Sequence, residues 1–102
     1  MTRPVLLVAG GSRGIGAATC KLAGERGYDV AVNYNSNSNA AASVVDAVKK
    51  AGGRAVALQG DMGKEADIRR VFDETTSKLG AVGAFVHSSG IIGPMWKLQR
   101  LK

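Results

Sequence analysis

Four short apolar runs alternate along the chain with three stretches whose apolar positions recur at helical spacing. Val5 to Ala9 is unbroken and closes at Gly10-Gly11, the pattern of a parallel strand covered on both faces. From Gly14 to about Arg26, residues Ile15, Ala18, Leu22 and Ala23 fall at helical spacing, with Gly27 as a stop. Tyr28 to Tyr34 carries Val30-Ala31-Val32, a second strand, and Asn33 to Asn39 is almost wholly Asn and Ser, which favour turns and caps. Ala40 to Ala51 sets Val44, Val45 and Val48 on one helix face ahead of Gly52-Gly53. Ala55-Val56-Ala57-Leu58 is a third strand, ending at Gly60-Asp61-Met62-Gly63. Ile68, Val71, Phe72, Thr75 and Leu79 then mark one face of a third helix, with Asp67, Arg70, Asp73, Glu74 and Lys78 off it. Ala84-Phe85-Val86 supplies a fourth strand and leads into His87-Ser88-Ser89-Gly90.

Strands and helices in strict alternation, with short connections and right-handed crossovers, predict an α/β fold. It is a doubly wound parallel sheet of strand order 3-2-1-4 with three helices. Composition sets the limits of this picture. A chain of 102 residues has no material for a second domain, and a domain so small has a thin stability margin. The apolar share of 45% and charged share of 22% are those of an ordinary globular protein rather than a disordered one. Half of the +6 formal charge comes from Lys97, Arg100 and Lys102, and no basic stripe or stacking platform stands elsewhere, which argues against nucleic acid as a partner. The chain therefore divides into a folded unit over 1–93 and a basic tail over 94–102. Cys20 is the only cysteine, so no internal disulfide and no metal-type Cys/His spacing exist, and a reducing compartment is expected. No stretch approaches the roughly 20 apolar residues of a membrane span, and the run at Val5 is too short for a signal sequence. A cytoplasmic location, with no membrane partner, is the expectation.

The chemistry concentrates at Gly10-Gly11-Ser12-Arg13-Gly14-Ile15-Gly16, between the first strand and first helix. Gly10 permits a sharp turn, Gly14 lets the backbone approach a pyrophosphate, and Gly16 lets helix and strand pack closely. The helix N-terminus then presents N–H groups and the positive end of its dipole to the phosphates. A P-loop would need Lys and then Ser or Thr after its second glycine, but Ala17 and Ala18 follow Gly16. A G-x-G-x-x-G fingerprint would need glycine at Ser12 or Thr19. What stands here is G-x-x-x-G-x-G.

That spacing after an N-terminal strand resembles the short-chain dehydrogenase/reductase family, whose opening motif is T-G-x-x-x-G-x-G, with Ala9 here in place of the usual Thr. The resemblance extends to Asp61-Met62 after the third strand, where the family has an Asp that takes the adenine amino group, and to Ser88-Ser89-Gly90 after the fourth. There the family usually has N-N-A-G; this chain has H-S-S-G, matching only at Gly90. The resemblance implies a partial Rossmann-type fold, a dinucleotide cofactor, and oxidoreductase chemistry between NADP(H) and a carbonyl or alcohol. The implied cofactor-binding residues are Gly10, Ser12, Arg13, Gly14, Ile15, Gly16, Asn33, Tyr34, Asn35, Ser36, Asp61, Met62, Ser88, Ser89 and Gly90. Members are usually homo-oligomeric through helices later than this sequence reaches.

Cofactor choice turns on the end of the second strand, where an NAD-selective site offers an acid to the ribose hydroxyls. Here stand Asn33-Tyr34-Asn35-Ser36. A carboxylate would repel a 2′-phosphate; Asn and Ser can donate to it, and Arg13 can add a positive charge, which points to NADP over NAD. Catalysis in the family rests on a Tyr-x-x-x-Lys pair and an upstream Ser. Four residues beyond Tyr28 and Tyr34 stand Val32 and Ser38, so the pair is absent, and no catalytic or metal-ligating residue is assigned. Cys20 reads as a small buried hydrophobe, and His87, at a strand end near the expected cofactor, as a structural histidine ahead of the alternative of a cofactor contact. A non-catalytic NADP sensor and a truncated, non-functional remnant remain as alternatives to the binding portion of an enzyme, and the substrate is not legible.

Overall fold

A computed structural model describes residues 3–12 and 14–87; the expected boundary at 93 and the basic tail over 94–102 lie outside the described residues. The elements run β1 (Val5–Ala9), α1 (Gly14–Glu25), β2 (Asp29–Tyr34), α2 (Ser38–Lys50), β3 (Ala55–Gln59), α3 (Glu65–Lys78) and β4 (Val82–His87). All strand pairs are parallel, and the sheet order is β3-β2-β1-β4 as expected. Alternate residues of the central strands feed two cores. Leu6, Val8, Val30 and Val32 pack with Val44, Val45 and Val48 of α2 and Cys20 and Ala23 of α1. Val5, Leu7, Ala31 and Leu58 pack with Val71 of α3 and Leu79 on the other face. A sheet buried on both faces is why β1 reads as a continuous apolar run.

Of the apolar positions spaced along α1, Ala23 lies on its buried face, while Ile15, Ala18 and Leu22 do not. Ile15 is 77% and Leu22 50% exposed, whereas Gly16, Cys20, Ala23 and Gly24 are buried. The cause is close approach: a Cβ on Gly24 would lie 3.0 Å from Val48 Cγ1, and a Cβ on Gly11 would lie 3.1 Å from Cys20 Sγ. The helix packs through its smallest residues, which a search for large apolar side chains passes over.

β2 extends through Asn33 and Tyr34, where turn-forming residues begin, because the Asn33 side chain finds its partners inside the sheet. α2 starts at Ser38, with Asn37 as its cap: Asn37 Oδ1 accepts from Ala40 N at 3.0 Å.

At the amino ends of the strands lies a feature the sequence pattern does not announce. Asp29 is buried, and its carboxylate accepts from Arg3 Nε at 2.9 Å, Arg54 N at 2.9 Å and Arg54 Nε at 3.0 Å. Burial alone would push this carboxyl up, but the hydrogen bonds and charge of Arg54, with the bond from Arg3, outweigh it and hold Asp29 below the usual carboxylate range.

Candidate functional site

The glycine turn is pinned to β2 from both of its first two residues. Gly10 N donates to Asn33 Oδ1 at 3.1 Å and Gly11 N to the Asn33 carbonyl at 2.9 Å. Gly10 and Gly14 have φ of 71° and 57°, the left-handed region in which a side chain is strained. Gly11 is wedged between Val8, Cys20 and Val32, whereas among the described residues a Cβ on Gly14 would meet no atom within 4 Å. The backbone at Gly14 is thus open to an approaching group. Cys20 braces the turn from beneath, its thiol directed at Gly11 O at 3.8 Å, and burial pushes that thiol up to about 12. It is the small buried hydrophobe expected, not a nucleophile.

At the end of β3, Gly60 N donates to Tyr34 O at 2.9 Å, which joins that strand to the end of β2. Asp61 N donates to Asp67 Oδ2 and Asp61 Oδ1 accepts from Gly63 N, both at 2.8 Å. Among the described residues Asp61 Oδ2 has no partner, so one acceptor is left available. Gln59 Nε2 reaches across to Asn35 O at 3.0 Å.

These strand ends enclose a cleft of about 350 Å3 lined by Ala9, Gly10, Asn33, Asn35, Gly60, Asp61, Met62, Gly63 and His87. Strands β1, β2 and β4 contribute together with the loop after β3, and the carboxyl ends of a parallel sheet, where strand order reverses, are where such folds bind ligands. A larger cavity of about 670 Å3 lies at the opposite ends of the strands, beside Arg3, Asp29 and Arg54, away from the glycine turn.

Of the residues singled out in the sequence, Gly10, Asn33, Asn35, Asp61 and Met62 line the cleft. Ser12, Gly14, Ile15 and Gly16 form the adjoining turn and first helical residues, Tyr34 packs against the core, and Ser36 is exposed. Arg13, Ser88, Ser89 and Gly90 lie outside the described residues. Asn33 departs from the role expected of it. It is 2% exposed, and its Nδ2 donates to Leu58 O at 3.2 Å and Gly60 O at 3.1 Å, so both amide protons are committed within the protein. Gly11, Gln59 and Asp67 were not read as part of the site. Only Gly11, doubling the first motif glycine, left a signal in the sequence.

Residues 4–101 match the family model for the short chain dehydrogenase. Elsinochrome reductase 1 of Elsinoe fawcettii is 42% identical over 88 residues, 86% of this chain and 33% of the relative. The uncharacterized oxidoreductase YgfF of Escherichia coli K12 is 41% identical over 97 residues, 95% of this chain and 39% of that one. A Burkholderia cenocepacia protein solved with bound NADP superposes with a TM-score of 0.80 at 27% identity, covering 84% of this chain and 34% of its own. The chain thus spans between 33% and 39% of the length of these two curated relatives.

Proposed function

The chain belongs to the short chain dehydrogenase family, and on that premise we propose that its 102 residues are the NADP(H)-binding portion of a carbonyl or alcohol oxidoreductase. The observation that carries the reading is the cleft itself, an open glycine turn, an available Asp61 carboxylate oxygen and an acid-free loop after β2 gathered at one end of the sheet. These residues fit a dinucleotide. The turn from Gly10 to Gly16 holds the pyrophosphate, Asp61 accepts from the adenine amino group, and Asn35, Ser36 and Arg13 meet the 2′-phosphate. Ser88, Ser89 and Gly90 enter the proposal only as cofactor-binding residues that the family motif implies. When bound, the cofactor supplies the hydride. The bound NADP of the Burkholderia cenocepacia protein supports the choice of dinucleotide; the preference for NADP over NAD rests on the residues after β2.

These residues bind and orient; none of them is set to move the proton. Hydride transfer to a carbonyl leaves an oxyanion, and protonating it by a placed general acid is commonly worth about 10²–10⁴-fold. With no Tyr-x-x-x-Lys pair in these residues, they carry out no turnover by themselves. Neither the substrate nor an oligomeric interface is specified by this portion. A lone, buried, unpaired thiol fits a cytoplasmic setting.

The test is titration of the chain with NADPH and NADH, followed by nicotinamide fluorescence, beside Arg13→Ala. NADPH should bind more tightly, and Arg13→Ala should narrow the gap. Equal affinities in the wild type would refute the assignment.

A further inference from the structure

The loop after β2 has little holding it by burial, since residues 35–39 are all exposed. Hydrogen bonds fix it instead. Tyr34 O accepts from Gly60 N at 2.9 Å, Gln59 Nε2 donates to Asn35 O at 3.0 Å, and Asn37 caps α2 through Ala40 N at 3.0 Å. The first and third hold the two ends of the segment. Between them, the bond from Gln59 is the only one of the three that fixes Asn35, the loop residue lining the cleft.

Gln59 ends β3, an edge strand of the sheet, and its side chain is exposed rather than packed in the core. Asn33, by contrast, spends both amide protons on Leu58 and Gly60 and its oxygen on Gly10, so it meets no ligand as a donor. Within the loop after β2, discrimination at the adenosine 2′ position then falls to Asn35 and Ser36, beside the charge that Arg13 adds from the glycine turn, and the placement of those two depends on how firmly the loop backbone is held.

From this we infer that Gln59 is a positioning residue for 2′-phosphate selectivity, acting through Asn35 without touching the ligand. The inference rests on the NADP(H) reading above. With the Gln59 bond in place, the donors on Asn35 and Ser36 are ordered before the ligand arrives. Without it, the ordering cost falls on whichever ligand uses those donors. A dinucleotide with a free 2′-hydroxyl, drawing its affinity from the pyrophosphate turn and Asp61, is spared that cost.

The experiment compares the wild-type chain with Gln59→Met, which keeps the length of the side chain and removes the donor. NADPH and NADH are each titrated by fluorescence, and amide exchange at Asn35 and Ser36 is followed by NMR. The expected result is a loss of about 3- to 10-fold in NADPH affinity, with NADH affinity changed by less than about 2-fold. Exchange should quicken in the loop and not in β1 or β2. An unchanged ratio of the two affinities, or an equal fall in both, would overturn the role of Gln59 while leaving the cofactor assignment intact. A wild-type chain without NADPH preference would overturn that assignment, and this inference with it.

Discussion

Replacing Asn33 with Asp tests whether the end of β2 selects the cofactor or holds the site together. The substitution puts an acid where NAD-selective sites have one, so a purely ligand-facing position would answer with a switch toward NADH. The structure gives a different expectation. Asn33→Asp keeps an acceptor for Gly10 N but removes both donors to Leu58 O and Gly60 O, and sets a carboxylate against two carbonyls at a site 2% exposed. Two lost hydrogen bonds cost about 1–3 kcal/mol together, and the buried, unpaired charge costs more. Proton uptake limits the total: keeping a carboxyl of unfolded pKa about 3.9 protonated at pH 7 costs about 4 kcal/mol, and the neutral acid regains one donated bond. The folded pKa of the new carboxyl is therefore raised. Stability relative to wild type is nearly retained below pH 4, is lost as pH rises toward the folded pKa, and at neutral pH is about 3–5 kcal/mol lower. Small domains have stabilities of about 5–15 kcal/mol, so much of the margin would be gone. Urea unfolding of both proteins at pH 4.5 and pH 7.5, read as a difference, is the assay. A variant as stable as wild type at pH 7.5, or a deficit equal at both pH values, would refute the account of Asn33 as a buried tie.

Asp29→Asn should destabilise the chain by about 1–3 kcal/mol, discounted because both arginines are partly solvated. Since the Asp29 pKa is lowered on folding, its contribution is present above the unfolded value and lost as pH falls through the folded one. Wild-type stability should fall more steeply than that of the variant below about pH 4; equal acid limbs would count against the Arg–Asp–Arg cluster. Gly14→Val should retain helical circular dichroism, at a backbone strain of about 1–2 kcal/mol, yet lose NADPH binding, and normal binding would remove the glycine turn from the site. Cys20 should resist a thiol reagent at pH 8 in the native chain and react after unfolding, its thiol being buried and pushed up to about 12; rapid native reaction would contradict its burial.

The alternation of apolar runs with helical spacing, and the positions of Gly10, Gly14 and Gly16, were enough to set out the element order, the sheet order and the end of the sheet to which the candidate site is assigned. These are local properties: strand and helix periods, turn chemistry and motif spacing act over a few residues and leave their mark on neighbouring letters. The tertiary structure decided what each marked residue does. Ile15 and Leu22 carry the apolar period of α1, but its contact face is made of Gly16, Cys20, Ala23 and Gly24, because the distance between packed backbones, not side-chain size, governs that contact. Asn33 looks like a ligand residue in sequence and is a tie in the fold; Asp29, which the sequence pattern does not single out, is buried between two arginines. The side-chain hydrogen-bond partners of Asn33, Asp29 and Gln59 lie 23 to 27 residues away in sequence, on neighbouring strands or the residues that flank them. Only the parallel register of β1, β2 and β3 brings those donors and acceptors into reach, and no local pattern records a register.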